Sequence, residues 1–250
     1  SDEAIDISNY IDDFEIISLE TNANTVLGLV TQIAKFGDYL VVLDRQSLRV
    51  LAFDLQGKFS HTIGNKGKGP GEYINPIGFA ITPDNSQIAV YVMQNRSLLY
   101  YSPQGEFMEG HKVRTKGFKI AFINDTLIGL HAGRMGINGR SEAYFDLWIA
   151  NKKGDIIDSL FNYKEALNTE RGSNFMPSFE DGSILYTRMA DYNIYKLSSD
   201  KVDTLYRFDF GAANLDTAFY LRADNFDKVW TLKDKVLGSG AVTNTKTDLL

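Results

Sequence analysis

Apolar residues recur along this chain in runs of five to eight, many alternating with polar ones, and Gly, Asp, Asn or Pro bounds nearly every run. That is the period-two signature of β-strands. The first set reads LVTQIAKF, YLVVLD, SLRVLAFD and KFSHTIG; the second reads IGFAITP, QIAVYVM, SLLYYSP and EFMEGHKV. A third follows as FKIAFI, TLIGLHA, YFDLWIAN and DIIDSLFN, and a fourth as FMPSFE, SILYTR, NIYKLS and VDTLYRFDF. No helical pattern separates the runs within these sets, so an alternating α/β fold is excluded.

The runs are organised by a repeat. Four turns, FDLQGKF, YSPQGEF, ANKKGDI and LSSDKVD, are centred on Gly57, Gly105, Gly154 and Asp200, which lie 48, 49 and 46 residues apart. A period of about 40–50 residues suits a β-propeller blade of four antiparallel strands. The expected fold is therefore all-β, one propeller domain over 1–250. Blades are expected at 29–64, 74–115, 117–165 and 173–210, and 11–20 reads as an outer strand that closes another blade. Residues 211–250 read as an insertion followed by the start of a fifth blade. At this period a six-bladed ring needs roughly 70 residues more, so the chain is expected to be a fragment.

The stretch IGNKGKGPGEY, Ile63 to Tyr73, invites a phosphate-loop reading. No glycine in it precedes Lys-Ser or Lys-Thr, and no helix follows for a phosphate to sit on. Its place between an outer and an inner strand makes it a blade-to-blade crossing, with Gly67, Gly69, Pro70, Gly71, Glu72 and Tyr73 as a structural motif. Glu72 is expected to accept backbone N–H groups within the turn.

Together with the preceding LRVLAFDLQGKFSHT, this stretch resembles the six-bladed β-propeller family of Bacteroidetes envelope proteins, which is NHL-like and includes many predicted lipoproteins. Gly57, Lys58 and Phe59, then Ile63, Gly64 and the motif residues, carry the match, with Gln56 in place of the family's aspartate. The likeness is strong over about 11–110 and weak beyond. It implies a propeller outside the cytoplasm, in the periplasm or on the outer membrane, with a lipid anchor upstream and no settled activity.

Composition narrows the chemistry. With no cysteine there is no disulfide, thiol nucleophile or Cys-based zinc site. His61, His111 and His131 stand far apart, and neither H-x-H nor H-E-x-x-H occurs. G-x-S-x-G and the EF-hand loop are also missing, so no catalytic residue, metal ligand or cofactor is assigned. An axial calcium or other ion, held by carbonyls and scattered carboxylates, stays open. The aromatic residues of 143–151 and 218–230 read first as packing between blades and second as sugar-stacking surfaces. The chain has no apolar run of transmembrane length, and its net charge of −6 argues against nucleic acid as a partner.

Within this acidic chain, one set of loops is basic. The loops between second and third strands carry Arg45, Arg96, Arg134, Arg140 and Arg188, and the crossings add Lys66, Lys68, Arg114, Lys116 and Arg171. Both sets belong to one face of a propeller. The expected function is non-catalytic binding or scaffolding, with Arg45, Arg96, Arg134, Arg140, Arg188, Lys66 and Lys68 meeting an anionic glycan or an acidic protein segment. The alternative is a metal-assisted hydrolase or lyase acting at the propeller axis.

Overall fold

The computed structural model describes residues 13–132, 144–163, 174–177, 183–188, 191–209 and 211. These form the expected all-β propeller of four-stranded antiparallel blades. Blade 1 comprises β1 (Val30–Phe36), β2 (Tyr39–Asp44), β3 (Arg49–Asp54) and β4 (Phe59–Thr62). A short parallel pair, β5 (Asn65–Lys66) and β6 (Glu72–Tyr73), marks the crossing to blade 2. Blade 2 is β7 (Pro76–Ile81), β8 (Ile88–Val92), β9 (Ser97–Tyr101) and β10 (Phe107–Lys112). Blade 3 is β11 (Lys119–Phe122), β12 (Leu127–His131), β13 (Tyr144–Asn151) and β14 (Ile156–Tyr163). Blade 4 is β15 (Asn174–Pro177), β16 (Ile184–Thr187), β17 (Asn193–Leu197) and β18 (Val202–Arg207). The fifth blade expected within 211–250 lies outside the described residues, Gly211 apart.

Strand alternation explains why the blades stack. In β2 and β3, Val41, Leu43, Val50 and Ala52 face blade 2, where they meet Phe79, Ile88, Val90 and Tyr101. The intervening Val42, Leu51 and Phe53 point the other way, towards Leu19 and Leu27. Blade 2 repeats the division, with Ala89, Tyr91, Leu98 and Tyr100 turned to Ile128, Leu130, Trp148 and Ala150 of blade 3. Leu147 and Ile149 then turn to Tyr186 and Leu197 of blade 4. Both faces of the middle strands are thus covered, which is why β8 and β9 read as unbroken apolar runs rather than strict alternation. The aromatic Trp148 of the 143–151 segment is core, while 218–230 lies outside the described residues.

Polar latches join the innermost strands. The Gln32 side chain on β1 donates to the Phe79 carbonyl at 2.7 Å and accepts the Phe79 N–H at 3.0 Å, standing in for a neighbouring strand. Between blades 3 and 4, the Lys119 amine donates to Asn174 at 3.1 Å, and burial pulls its pKa below the usual lysine value.

The three glycine turns are one structure repeated. Gly57, Gly105 and Gly154 have φ of 82°, 80° and 83°, and each donates its N–H to the residue three before it at 2.9 Å. An added Cβ on these glycines would lie 2.1, 2.2 and 2.3 Å from the carbonyl oxygens of Ser18, Thr62 and Lys112. Thr62 and Lys112 end the outer strands of the preceding blades. Ser18 holds the same place against blade 1, and Glu20 donates its N–H to Gly57 O at 2.7 Å as Gly64 does to Gly105 O at 3.2 Å. Residues 13–20 form no strand with the described residues, yet they sit where an outer-strand end belongs. The fourth turn differs: Ser198 closes onto Lys201 at 3.0 Å in a tighter hairpin without glycine.

Candidate functional site

The cations singled out in the sequence fall into two structural classes. Arg45 and Arg188 are each the first residue after a second strand, and both turn into the fold. The Arg45 guanidinium donates to Asn75 at 2.9 Å and to the Pro76 carbonyl, tying blade 1 to the start of β7, and burial lowers its pKa. Arg188 donates to Asp146 at 3.0 Å and Asp191 at 3.1 Å and lies 4.5 Å over the Phe161 ring. Arg96 instead ends its loop, with φ of 53°, as Leu48 ends the blade 1 loop with φ of 59°. Arg45 and Arg96 therefore occupy different positions in their blades, which loop composition alone does not reveal. Arg134, Arg140 and Arg171 lie outside the described residues. Lys66 and Lys68 are exposed on the β5–β6 crossing.

Arg96 opens onto a cleft of about 490 Å³, shared with Asn95, Lys112, Arg114 and Asp155. The run from Lys112 to Gly117 explains the concentration of charge. Lys112, Arg114 and Lys116 are exposed, while the residues between them, Val113 at 2% and Thr115 at 0%, are buried. Exposed and buried residues alternate through the bend that follows β10, and the cations take the exposed positions. Lys112 donates to the Asn95 carbonyl at 2.9 Å, and Arg96 reaches the Arg114 carbonyl at 3.4 Å, which draws the loop and the strand end together. The turn at Gly154 forms one wall of the cleft, close against the Lys112 carbonyl. Its one lining acid, Asp155, accepts a bond from the Asn151 side-chain amide at 3.1 Å. Lys112 escaped the sequence reading because it belongs to a strand; its spacing from Arg114 and Lys116 is the signal that could have found it.

A second groove, of about 410 Å³, adjoins the cleft through Asn95 and Lys112 and runs to the Ile63–Tyr73 crossing. That crossing is internally bonded: Gly67 N–H donates to Tyr73 O at 3.0 Å and Gly69 N–H to the Glu72 carboxylate at 2.8 Å. The buried Tyr73 hydroxyl donates to Ile63 O at 2.6 Å and accepts Val50 N–H at 3.2 Å, and burial raises its pKa to about 12.

A third polar centre, buried at its heart, lies between blades 3 and 4. His131 and Asp146 are both 0% exposed, with Nδ1 3.2 Å from Oδ1 and 2.9 Å from the Tyr186 hydroxyl. Burial pushes the Asp146 carboxyl up, but His131 and Arg188 outweigh it and hold the group below the usual range. Asp191 extends the network, accepting from Tyr195 at 2.7 Å. With its central pair buried and its charges bonded to one another across two blades, this arrangement reads as an interblade clamp. Among the described residues, no three His, Asp or Glu side chains gather as metal ligands would.

These blades and crossings define a propeller. The chain belongs to the family described as Domain of unknown function (DUF4934), which matches residues 1–244. No curated protein matches it. Among solved structures, a Bacteroides fragilis protein described as exported is similar at 20% identity and TM-score 0.68, over 79% of this chain and 55% of that one. A member of the DUF4221 family from Bacteroides vulgatus shares 13% identity at TM-score 0.49, over 78% of this chain and 62% of that one. This chain therefore spans little more than half the length of the exported protein.

Proposed function

We propose that this chain is a non-catalytic binding propeller of the bacterial cell envelope, and that the Arg96–Lys112–Arg114 cleft takes an anionic ligand. The cleft itself carries the reading: three cations line one cavity with a single acid, in a chain of net charge −6. Two guanidinium forks and an ammonium can pair with carboxylate or sulfate oxygens in parallel, which one exposed cation cannot do with useful affinity. The extracytoplasmic assignment is supported by the exported protein of similar fold and by the envelope-family motif at Gly67–Tyr73. By the resemblance of the Gly67–Tyr73 motif, the reading extends to an NHL-like ring of six blades and a lipid anchor upstream.

The test is calorimetric titration of wild type and Lys112→Ala/Arg114→Ala with dextran sulfate and neutral dextran. Binding of the sulfated polymer alone, weakened by the double substitution and by added salt, is the expected result. Equal binding of both polymers, or a variant indistinguishable from wild type, would overturn it.

A further inference from the structure

We propose that the groove beside the cleft is a sugar-ring subsite, so that the ligand is an acidic glycan whose pyranose rings carry carboxylates. The inference rests on the anion-binding reading of the cleft and adds the chemical class of the ligand. The two cavities share Asn95 and Lys112, so one extended molecule can occupy both. Cations recur along that path: Lys68 lines the groove, Lys112 the junction, and Arg96 and Arg114 the cleft. A polymer with a charge on each ring meets such a series, whereas a single anion uses only one end of it.

The groove has the chemistry of a sugar site. Its apolar surface includes Phe107, 41% exposed, and the exposed ring of Pro70, both suited to the C–H face of a pyranose. Gly110, in the middle of β10, lets the Leu99 side chain and the Phe107 ring pack over the strand and so shapes the apolar wall. Polar lining comes from the Gln94 and Asn95 amides, which can donate and accept as sugar hydroxyls do, from His111, whose Nε2 is paired with Glu109 at 2.9 Å, and from Glu72, whose carboxylate accepts the Gly69 N–H. An acidic peptide in extended form would be read mainly through backbone partners. On the crossing wall, the Gly67 and Gly69 N–H groups are already bonded to Tyr73 and Glu72.

The experiment titrates the protein with oligogalacturonate, dextran sulfate, poly-glutamate and neutral dextran. The variants are Gln94→Ala, whose amide lines the groove and not the cleft, and, separately, Phe107→Leu, with circular dichroism confirming the fold of each. Oligogalacturonate should bind at least tenfold more tightly than poly-glutamate of equal charge, a gap of about 1.4 kcal/mol. The amide variant should lose about tenfold on oligogalacturonate and nothing on poly-glutamate. If poly-glutamate binds as well as oligogalacturonate, or the amide variant loses equally on both, the glycan assignment is overturned while the anionic cleft stands. If no anion binds wild type, the cleft reading and this inference fail together.

Discussion

Replacing Gly105 by alanine should destabilise the protein well beyond an ordinary glycine-to-alanine change in a turn. Two costs combine. Alanine at φ of 80° meets the left-handed penalty of about 1–2 kcal/mol. Its Cβ would also fall 2.2 Å from the Thr62 carbonyl oxygen, a backbone atom at the end of β4 that moves only with its blade. Displacing that strand end stretches the Gly64 N–H to Gly105 O bond, and such overpacking typically adds about 1–3 kcal/mol. Gly37 supplies the control: its φ is 57°, yet nothing lies within 4 Å of an added Cβ, so only the first cost applies. For a domain of this size, Gly105→Ala should therefore melt roughly 3–10 °C below Gly37→Ala. Scanning calorimetry of the two variants beside wild type measures this directly. Equal midpoints would refute the claim that these glycines exist to let one blade's turn rest on the previous blade's strand end.

Other outcomes follow from the same contacts. Burial raises the Asp44 carboxyl, but its bonds to the Ser47 hydroxyl and to the N–H groups of Leu29, Gln46 and Gly28 outweigh this and hold it at about 2. Its folded value being the lower one, its contribution is complete above the ordinary carboxylate range near 4 and is lost as pH falls towards 2. Asp44→Asn should flatten the fall in melting temperature over that window; an unchanged slope would contradict the assignment. Tyr73→Phe leaves Val50 N–H and Ile63 O without their hydroxyl partner and should cost about 2 kcal/mol in urea unfolding, against near zero if the crossing is mere linker. Asp146→Asn weakens a buried charge network with His131 and Arg188 and should cost about 3 kcal/mol at neutral pH; a loss below about 1 kcal/mol would show the clamp to be dispensable.

The sequence disclosed the blades because strand packing and hairpin turns are local matters. Alternation at Val41, Val42 and Leu43 already divides one blade face from the other, and the Gly57, Gly105 and Gly154 turns already give the period. The site was legible only in part. Charge placed Arg96 and Arg114 on one side, and both line the cleft. Charge could not distinguish Arg96 from Arg45 and Arg188, because their fates depend on Asn75, Pro76 and Asp146, up to 42 residues away. The clamp was less visible still: His131 gains its meaning from Asp146 and Tyr186, which only the stacking of blade 4 on blade 3 brings near. The N-terminal segment was read as an outer strand from its place one period before the first, and residues 13–20 take that place through Glu20 and the Gly57 turn, with no ladder to the described residues.

The central claim is that the Arg96–Lys112–Arg114 cleft is where this propeller holds an anion. A crystal structure grown with saturating oligogalacturonate tests it most directly. The account predicts ligand carboxylates within hydrogen-bond reach of at least two of those three side chains. A ligand seated elsewhere on the propeller, with the cleft open to water, would contradict it.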